Sequence, residues 1–280
     1  ILTGDTNIDR WGTYIRTNNI NTGNANIAID TQVHGYENVK GLRAEISIID
    51  VTGKIAARSN AQIDNVGSMH SDMNIADAKL WSPESPYLYS VVTKLYCGDK
   101  LIDETTDKTG IRTISVSADK GFMLNGISRK IQGVCLHHDL GPLGAAVNKA
   151  AIIRQIRILK DMGCDAIRTS HNMPSTMQME VCDSVGMMVM AESFDMWKYP
   201  KCKNGYAKFF DNWADRDITN LVLNHRNHPS IVMWSIGNEI PEQWSVEGRE
   251  ISRHLQDICH SLDPSRPVTQ GMDKAENAIA

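Results

Sequence analysis

Apolar and polar positions alternate through much of the first 116 residues. From Asn24 to Val33 the residues Ala25, Ile27, Ile29, Thr31 and Val33 alternate with mostly polar neighbours. From Leu42 to Ile48 the residues Leu42, Ala44, Ile46 and Ile48 alternate with Arg43, Glu45 and Ser47. A period of two sends one face of a strand to a core and the other to water. Further strand-like runs cover 13–20, 54–63, 87–96, 100–106 and 110–116. Turn residues separate several of them, as in Thr52-Gly53, Gly98-Asp99 and Asp107-Lys108-Thr109-Gly110. About seven short strands in some hundred residues, with no helix of useful length, predict an immunoglobulin-like β-sandwich over residues 1–116. Trp81-Ser82-Pro83-Glu84-Ser85-Pro86 reads as a stiff connector before the strand at Tyr87. No reactive side chains converge in this half, so its expected role is support.

After Val116 the pattern becomes an alternation of strands and helices. Phe122-Met123-Leu124 followed by Asn125-Gly126 predicts a hairpin with a tight turn, whose return runs towards Cys135. A helix is expected from about Lys149 to Met162, capped by Asn148, striped by Ile152, Ile156 and Leu159, and ended by Gly163. The strand Asp165–Thr169, a helix with a capping box at Ser175-Thr176-Met177-Gln178, and the strand Met187–Ala191 follow. A helix from roughly Phe209 to Asn227 stops before Pro229. Ile231-Val232-Met233-Trp234-Ser235-Ile236-Gly237-Asn238-Glu239 is then an apolar run that ends in an amide and a carboxylate, as a doubly buried parallel strand does when it opens into a site. A helix marked by Ile251, Leu255, Ile258 and Leu262 ends at Asp263-Pro264, and Pro267-Val268-Thr269 starts a fifth strand.

Such alternation means parallel strands with right-handed crossovers. No GxGxxG or GxxxxGK[ST] follows any strand, which removes the commonest phosphate-binding signatures of doubly wound sheets. Polar groups instead gather after successive strands: His137, His138 and Asp139, then Arg168 and His171, then Glu192 and Asp195, then Asn238 and Glu239. That is the way a (β/α)8 barrel builds its site, so residues 117–280 are expected to form the N-terminal part of a TIM barrel. A barrel needs eight strands and four or five are legible, and Ile1 is not an initiator Met. Both ends are therefore expected to be cuts within a longer chain.

Composition narrows the function classes. Hydrophobic content of 41% and charged content of 22% are ordinary for a globular protein. A net charge of −4 without a Lys/Arg cluster offers no footprint for nucleic acid, and no apolar run approaches a membrane span, so neither partner is expected. The six cysteines (Cys97, Cys135, Cys164, Cys182, Cys202 and Cys259) stand singly, which suggests packed free thiols over a disulfide framework or a zinc site.

Several motifs then occur in order: Leu124-Asn125-Gly126, Gly133-Val134-Cys135-Leu136-His137-His138-Asp139, Ala166-Ile167-Arg168-Thr169-Ser170-His171-Asn172, Asn224-His225-Arg226-Asn227-His228-Pro229-Ser230-Ile231 and Trp234-Ser235-Ile236-Gly237-Asn238-Glu239. From Leu124 to about Gln243 the chain resembles the family 2 glycoside hydrolases, the group of β-galactosidases, β-glucuronidases and β-mannosidases. The preceding sandwich and its Trp81-Ser82-Pro83 connector fit the domain that precedes the barrel in that family, which also has a sugar-binding jelly roll upstream.

The resemblance implies a retaining exo-β-glycosidase acting on carbohydrate, with Glu239 as general acid/base and β-galactosidase as the favoured member. In such enzymes one carboxylic acid protonates the leaving oxygen while a second carboxylate, about 5–5.5 Å away, attacks the anomeric carbon. The acid has to be protonated at the working pH, which burial or the second carboxylate brings about. Asn238 matches the amide that holds the sugar 2-hydroxyl. Arg168 matches the arginine that supports the nucleophile, with a structural salt bridge as its alternative. His171 is expected at the substrate floor. Glu192 matches the second acid of the family's Asp-Glu pair, although Ala191 and Ser193 depart from that pattern. Asp195 and Trp197 would supply a hydroxyl ligand and a stacking face, or else pack their loop.

His138 and Asp139, with His137, have the chemistry to touch substrate or a divalent cation such as Mg²⁺. Because that stretch departs from the family's, no metal ligand is assigned and no cofactor is expected to be required. The family's nucleophile is a Glu at the end of the seventh strand, beyond Ala280, so the 280 residues alone are expected to be inactive and to leave apolar faces uncovered. The whole protein is expected to be a homo-oligomer. The rival expectations are a β-glucuronidase or β-mannosidase of the same family, a carbohydrate-binding relative without catalysis, and an unrelated α/β enzyme.

Overall fold

A computed structural model describes residues 3–277. The chain divides into two compact units, one of residues up to Thr113 together with Asn227–Pro229, the other of Ile114–Arg226 and the residues from Ser230 on.

The first unit contains the strands β1 (Asn7–Asn21), β2 (Asn24–His34), β3 (Leu42–Ile49), β4 (Ile55–Gln62), β5 (Ser68–Ile75), β6 (Tyr89–Cys97) and β7 (Lys100–Thr109). They form two antiparallel sheets, β1-β2-β5 and β4-β3-β6-β7. The alternation read from the sequence is the alternation of burial: in β3, Leu42, Ala44, Ile46 and Ile48 are buried and the residues between them half-buried. Ile27 and Ile29 from one sheet and Ile46, Val91 and Leu95 from the other join in a single core. Fully burying each Ile or Leu contributes about 1.5–3 kcal/mol.

Two strand assignments differ from expectation. Strand β5 was not anticipated, because Met69, Ser71 and Met73 on its inner face are unbranched or polar and carry little strand propensity. Its pairing with β2, from Ala25↔Ile75 to Gln32↔Ser68, supplies what propensity does not. Conversely, 110–116 is no sandwich strand. A Cβ on Gly110 would stand 2.7 Å from that of Trp81, Ile111 makes an isolated bridge to Leu80, and regular pairing resumes only with β8 (Ile114–Ser117). Strand β8 pairs with β9 (Gly121–Leu124), so the unit boundary falls at Thr113/Ile114, slightly before the expected 116.

In the second unit, β9 turns into β10 (Ile127–Ser128) through Asn125 and Gly126, both with positive φ (54° and 76°), as a two-residue hairpin loop requires. Next come β11 (Gly133–His137), α1 (Lys149–Asp161), β12 (Ala166–Ser170), α2 (Thr176–Val185), β13 (Met188–Glu192), α3 (Ala207–His225), β14 (Ile231–Asn238), α4 (Val246–Leu262) and β15 (Val268–Gly271). The helix starts are where the sequence puts them: Asn148 Oδ1 accepts from Ala151 N at 3.0 Å, and Ser175 Oγ from Gln178 N at 3.2 Å.

The five strands from β11 to β15 are parallel and lie side by side in chain order. A doubly wound sheet reverses its order at a switch point, and none occurs here. Right-handed crossovers without reversal put successive helices on one face, which is the winding of a TIM barrel. The helix-covered face holds the core, with Met179, Val181, Val189, Ile218, Leu221 and Trp234 essentially inaccessible. Across the strands, Cys135, Arg168, Met190 and Met233 are successive register partners, and they stay exposed or half-exposed while most of their strand neighbours are buried. Among the described residues no helix is long and apolar enough to cross a membrane.

The turn after α4 fixes the lower end of β14. Asp263 is fully buried and accepts from Trp234 Nε1 at 3.0 Å and from Arg266 Nη1. Arg266, also buried, donates to the carbonyls of Ile231 (2.8 Å) and Arg226 (2.9 Å). Removing one partner of a buried pair strands the other charge. Asp263→Ala is therefore predicted to destabilise the protein by about 3–5 kcal/mol in urea unfolding; a loss under about 1 kcal/mol would mean that Arg266 is held by its carbonyl contacts alone.

Candidate active site

The C-terminal ends of β11 to β14 carry the polar groups that the apolar strands do not. His137 ends β11, Ser170 ends β12, Glu192 ends β13 and Asn238 ends β14. Parallel strands bring these ends to one rim.

At the centre of the rim lies Glu192, with no exposed surface. Its Oε2 accepts from Arg168 Nε at 2.7 Å and from the Ser235 hydroxyl, and its Oε1 lies 2.7 Å from His171 Nδ1. A carboxylate can only accept, so Nδ1 of His171 carries the proton and the other ring nitrogen is left for different work. The His171 ring also meets His137 edge-on at 5.1 Å between centroids. The backbone N–H of Glu192 donates to Thr169 Oγ1 at 3.0 Å.

Arg168 continues the network. Its Nη2 donates to Asn238 Oδ1 at 2.7 Å, and Nη1 reaches Cys135 Sγ at 3.5 Å. Asn238, nearly buried, gives Nδ2 to Asp195 Oδ1 at 3.0 Å. Lys201 Nζ donates to Asp195 Oδ1 (3.1 Å) and to the Asn238 carbonyl (2.7 Å). Burial by itself would raise the pKa of Asp195, but the Asn238 amide and the Lys201 ammonium outweigh it and hold the carboxyl below the usual aspartate range.

Glu239 follows Asn238 with φ 44° and is exposed. Its N–H donates to the Gly271 carbonyl at 2.7 Å. Its carboxylate makes no hydrogen bond or ion pair with the described residues, unlike the other acids of the rim.

The structure thus brings Arg168, His171, Glu192, Asp195 and Asn238 into one hydrogen-bonded chain, with Glu239 next to its end. Two of the candidate substrate-binding residues are enclosed, and for Trp197 the packed alternative is the one observed. Glu192 is surrounded by three side-chain donors and holds Arg168 and His171. Trp197 has no exposed face on which a sugar could stack; its indole N–H donates to the Ile236 carbonyl at 2.9 Å and its ring packs in the core. His138 and Asp139 stand apart from the chain of contacts: His138 Nε2 lies 3.0 Å from the Ala145 carbonyl, and Asp139 accepts from the N–H of Gly141. Among the described residues no three His, Cys, Asp or Glu side chains are grouped as metal donors.

Four participants were missed. Ser235 had a signal, since a lone hydroxyl inside a buried apolar strand needs a buried partner. Gly271 had none, yet a Cβ there would lie 2.6 Å from Arg168 Nη2, so only glycine lets the guanidinium reach Asn238. Cys135 and Lys201 are an unremarkable thiol and an unremarkable surface-type lysine until strand register and loop path place them.

The sequence profile described as "Glycosyl hydrolases family 2" matches residues 6–112, and that described as "Glycosyl hydrolases family 2, TIM barrel domain" matches residues 114–279. The chain is 37% identical to the β-galactosidase BoGH2A of Bacteroides ovatus over 97% of its own length and 36% of that protein's. It is 30% identical to a β-glucuronidase of Bacteroides fragilis over 72% of its length and 30% of that protein's. The crystal structure of a glycosyl hydrolase family 2 member from Bacteroides cellulosilyticus superposes with a TM-score of 0.93 at 39% identity, covering 96% of this chain and 36% of that one. The chain therefore spans roughly a third of the length of these relatives.

Glu192→Ala leaves Arg168 and His171 facing a void, and is predicted to cost about 3 kcal/mol in urea unfolding. A cost under about 1 kcal/mol would show that the Asn238 contact suffices for Arg168. For Asp195, a carboxyl depressed in the folded state contributes stability that is present above the free value of 3.8 and is lost as pH falls through the lowered pKa. The stability difference between the wild type and Asp195→Asn should therefore be constant at neutral pH and shrink below pH 3.8. A difference that stays flat across that range would remove the Asn238–Lys201 account of the shift.

Proposed function

The chain belongs to family 2 of the glycosyl hydrolases, and on that premise we propose that the whole protein is a retaining exo-β-glycosidase that releases terminal β-D-galactosyl residues, with Glu239 as its general acid/base. One observation carries the assignment: Glu239 is the strand-end acid whose carboxylate is exposed and uncommitted, whereas Glu192 is enclosed by donors and Asp195 is paired with Asn238 and Lys201. A general acid has to reach the glycosidic oxygen, so an enclosed carboxylate cannot serve.

In the proposed mechanism Glu239 protonates the leaving oxygen and then, as carboxylate, takes a proton from the water that frees the sugar. Asn238 presents its amide to the sugar 2-hydroxyl, oriented by Arg168 on Oδ1 and Asp195 on Nδ2. His171, fixed through Nδ1 by Glu192, offers its second ring nitrogen to a further hydroxyl. Arg168 supports the attacking carboxylate. Glu192 and Glu242 are both buried and held by N–H donors, so neither can attack an anomeric carbon. We assign the nucleophile to the part of the whole protein outside these 280 residues, and expect these residues alone to be inactive.

Galactose is favoured over glucuronic acid on the likeness to BoGH2A. The test is a panel of nitrophenyl β-galactoside, β-glucuronide and β-mannoside given to the whole protein, to its Glu239→Gln variant and to the 280-residue chain. The expected outcome is cleavage of the galactoside by the whole protein, a loss of about 10²-fold or more in Glu239→Gln, and no turnover by the short chain. Cleavage of another sugar reassigns the substrate. Cleavage of none favours a carbohydrate-binding relative, and turnover by the short chain overturns the placement of the nucleophile.

A further inference from the structure

We propose that Lys201 is a positioning residue for the acid/base: it fixes the peptide that joins Asn238 to Glu239, and so sets where the Glu239 carboxylate points. The inference rests on the role proposed for Glu239.

That peptide is held from both sides. On one side the Glu239 N–H donates to the Gly271 carbonyl at 2.7 Å; on the other the Asn238 carbonyl accepts from Lys201 Nζ at 2.7 Å. The grip has a purpose, because Glu239 sits at φ 44°, in the left-handed region that an L-residue with a side chain leaves readily. A relaxation of φ would rotate the peptide plane, swing the Asn238 carbonyl away and carry the carboxylate with it. Hydrogen bonds along the strand edge hold the N–H groups of this corner, including that of Asn238 to the Phe194 carbonyl at 2.9 Å. The carbonyl at the strand end is the group that a side chain has to hold.

Lys201 is itself located. Its loop follows β13 and is rooted by Phe194, Met196 and Trp197, all nearly or fully buried. Two residues before Lys201, the Tyr199 N–H donates to Glu242 Oε1 at 2.8 Å. Glu242 lies three residues beyond Glu239, is only 1% exposed, and its second carboxylate oxygen is buried without a hydrogen bond to the described residues. The loops after β13 and β14 are therefore tied at two points, Lys201 to Asn238 and Tyr199 to Glu242, on either side of Glu239. A bare surface ion pair with Asp195 would be the ordinary explanation for Lys201, but the shorter of its two contacts is to the carbonyl (2.7 Å) and the longer to the carboxylate (3.1 Å).

A misplaced acid has a kinetic signature that a loosened fold lacks. Protonation matters for a leaving group that departs as a poor anion and hardly at all for one that departs as a good anion. The experiment measures kcat/KM of the whole protein, Lys201→Met, Lys201→Arg and Glu239→Gln on phenyl β-D-galactoside and 2,4-dinitrophenyl β-D-galactoside. Each variant is read as the ratio of the two values, which does not depend on the fraction of folded enzyme. For Lys201→Met we expect a fall of about 30-fold on the phenyl substrate and less than about threefold on the dinitrophenyl one, with Lys201→Arg, which keeps N–H donors, recovering most of the phenyl rate. An equal fall on both substrates, or no fall, overturns the inference. If Glu239→Gln splits the two substrates and Lys201→Met does not, only the role of Lys201 fails. If Glu239→Gln shows no split, the acid/base assignment fails and takes this inference with it.

Discussion

A carboxylate removed from water costs several kcal/mol unless its oxygens are met by donors and its charge by a cation, and Glu192 at the end of β13 is met by both. Arg168 and His171 come to it from β12 and the residue after it, and Ser235 from β14, so one buried group ties three neighbouring strands together at the rim. Removing His171 leaves Oε1 without a partner, and removing Arg168 or Ser235 leaves Oε2 with one donor in place of two, where water cannot replace the loss. The orientations of Arg168 and His171 are therefore set by the same requirement that keeps the sheet ends in register.

The rest of the site is built outward from that centre. Arg168 passes the constraint to Asn238, Asn238 to Asp195, and Asp195 to Lys201, which returns to the Asn238 backbone. Each link is a charge-assisted or amide hydrogen bond of about 3 Å or less, so the chain is stiff although it uses short contacts from four different segments. Glu239 comes last, with its backbone held and its carboxylate free. Such an arrangement suits the role proposed for Glu239: groups that orient are satisfied by protein, and the carboxylate proposed to transfer a proton is kept for substrate.

The β-sandwich obeys different rules. Its two sheets share a core rich in Ile, Leu and Val whose alternation is written along several of the strands. The site chemistry is confined to the parallel sheet, because only there do successive strand ends arrive at one place.

Much of this was legible in the residues alone. Period-two alternation located most of the sandwich strands, Asn125-Gly126 specified its hairpin, Asn148 and Ser175 specified their helix starts, and the apolar run ending in Asn238-Glu239 marked a strand that opens into a site. These features are local: the residues that decide them are within a few positions of one another. Other features were not local. Strand β5 exists because β2 is there to pair with it, and 110–113 stays outside the sandwich sheets because Ile111 bridges to Leu80 instead. Glu192 and Trp197 have the side chains of substrate-binding residues, but sheet packing enclosed them. Lys201 gained its partner only when its loop brought the ammonium to a carbonyl 37 residues away. A side chain's chemistry is fixed by its identity, whereas its direction, burial and partners are fixed by strand register and loop path, which arise only when distant segments pack.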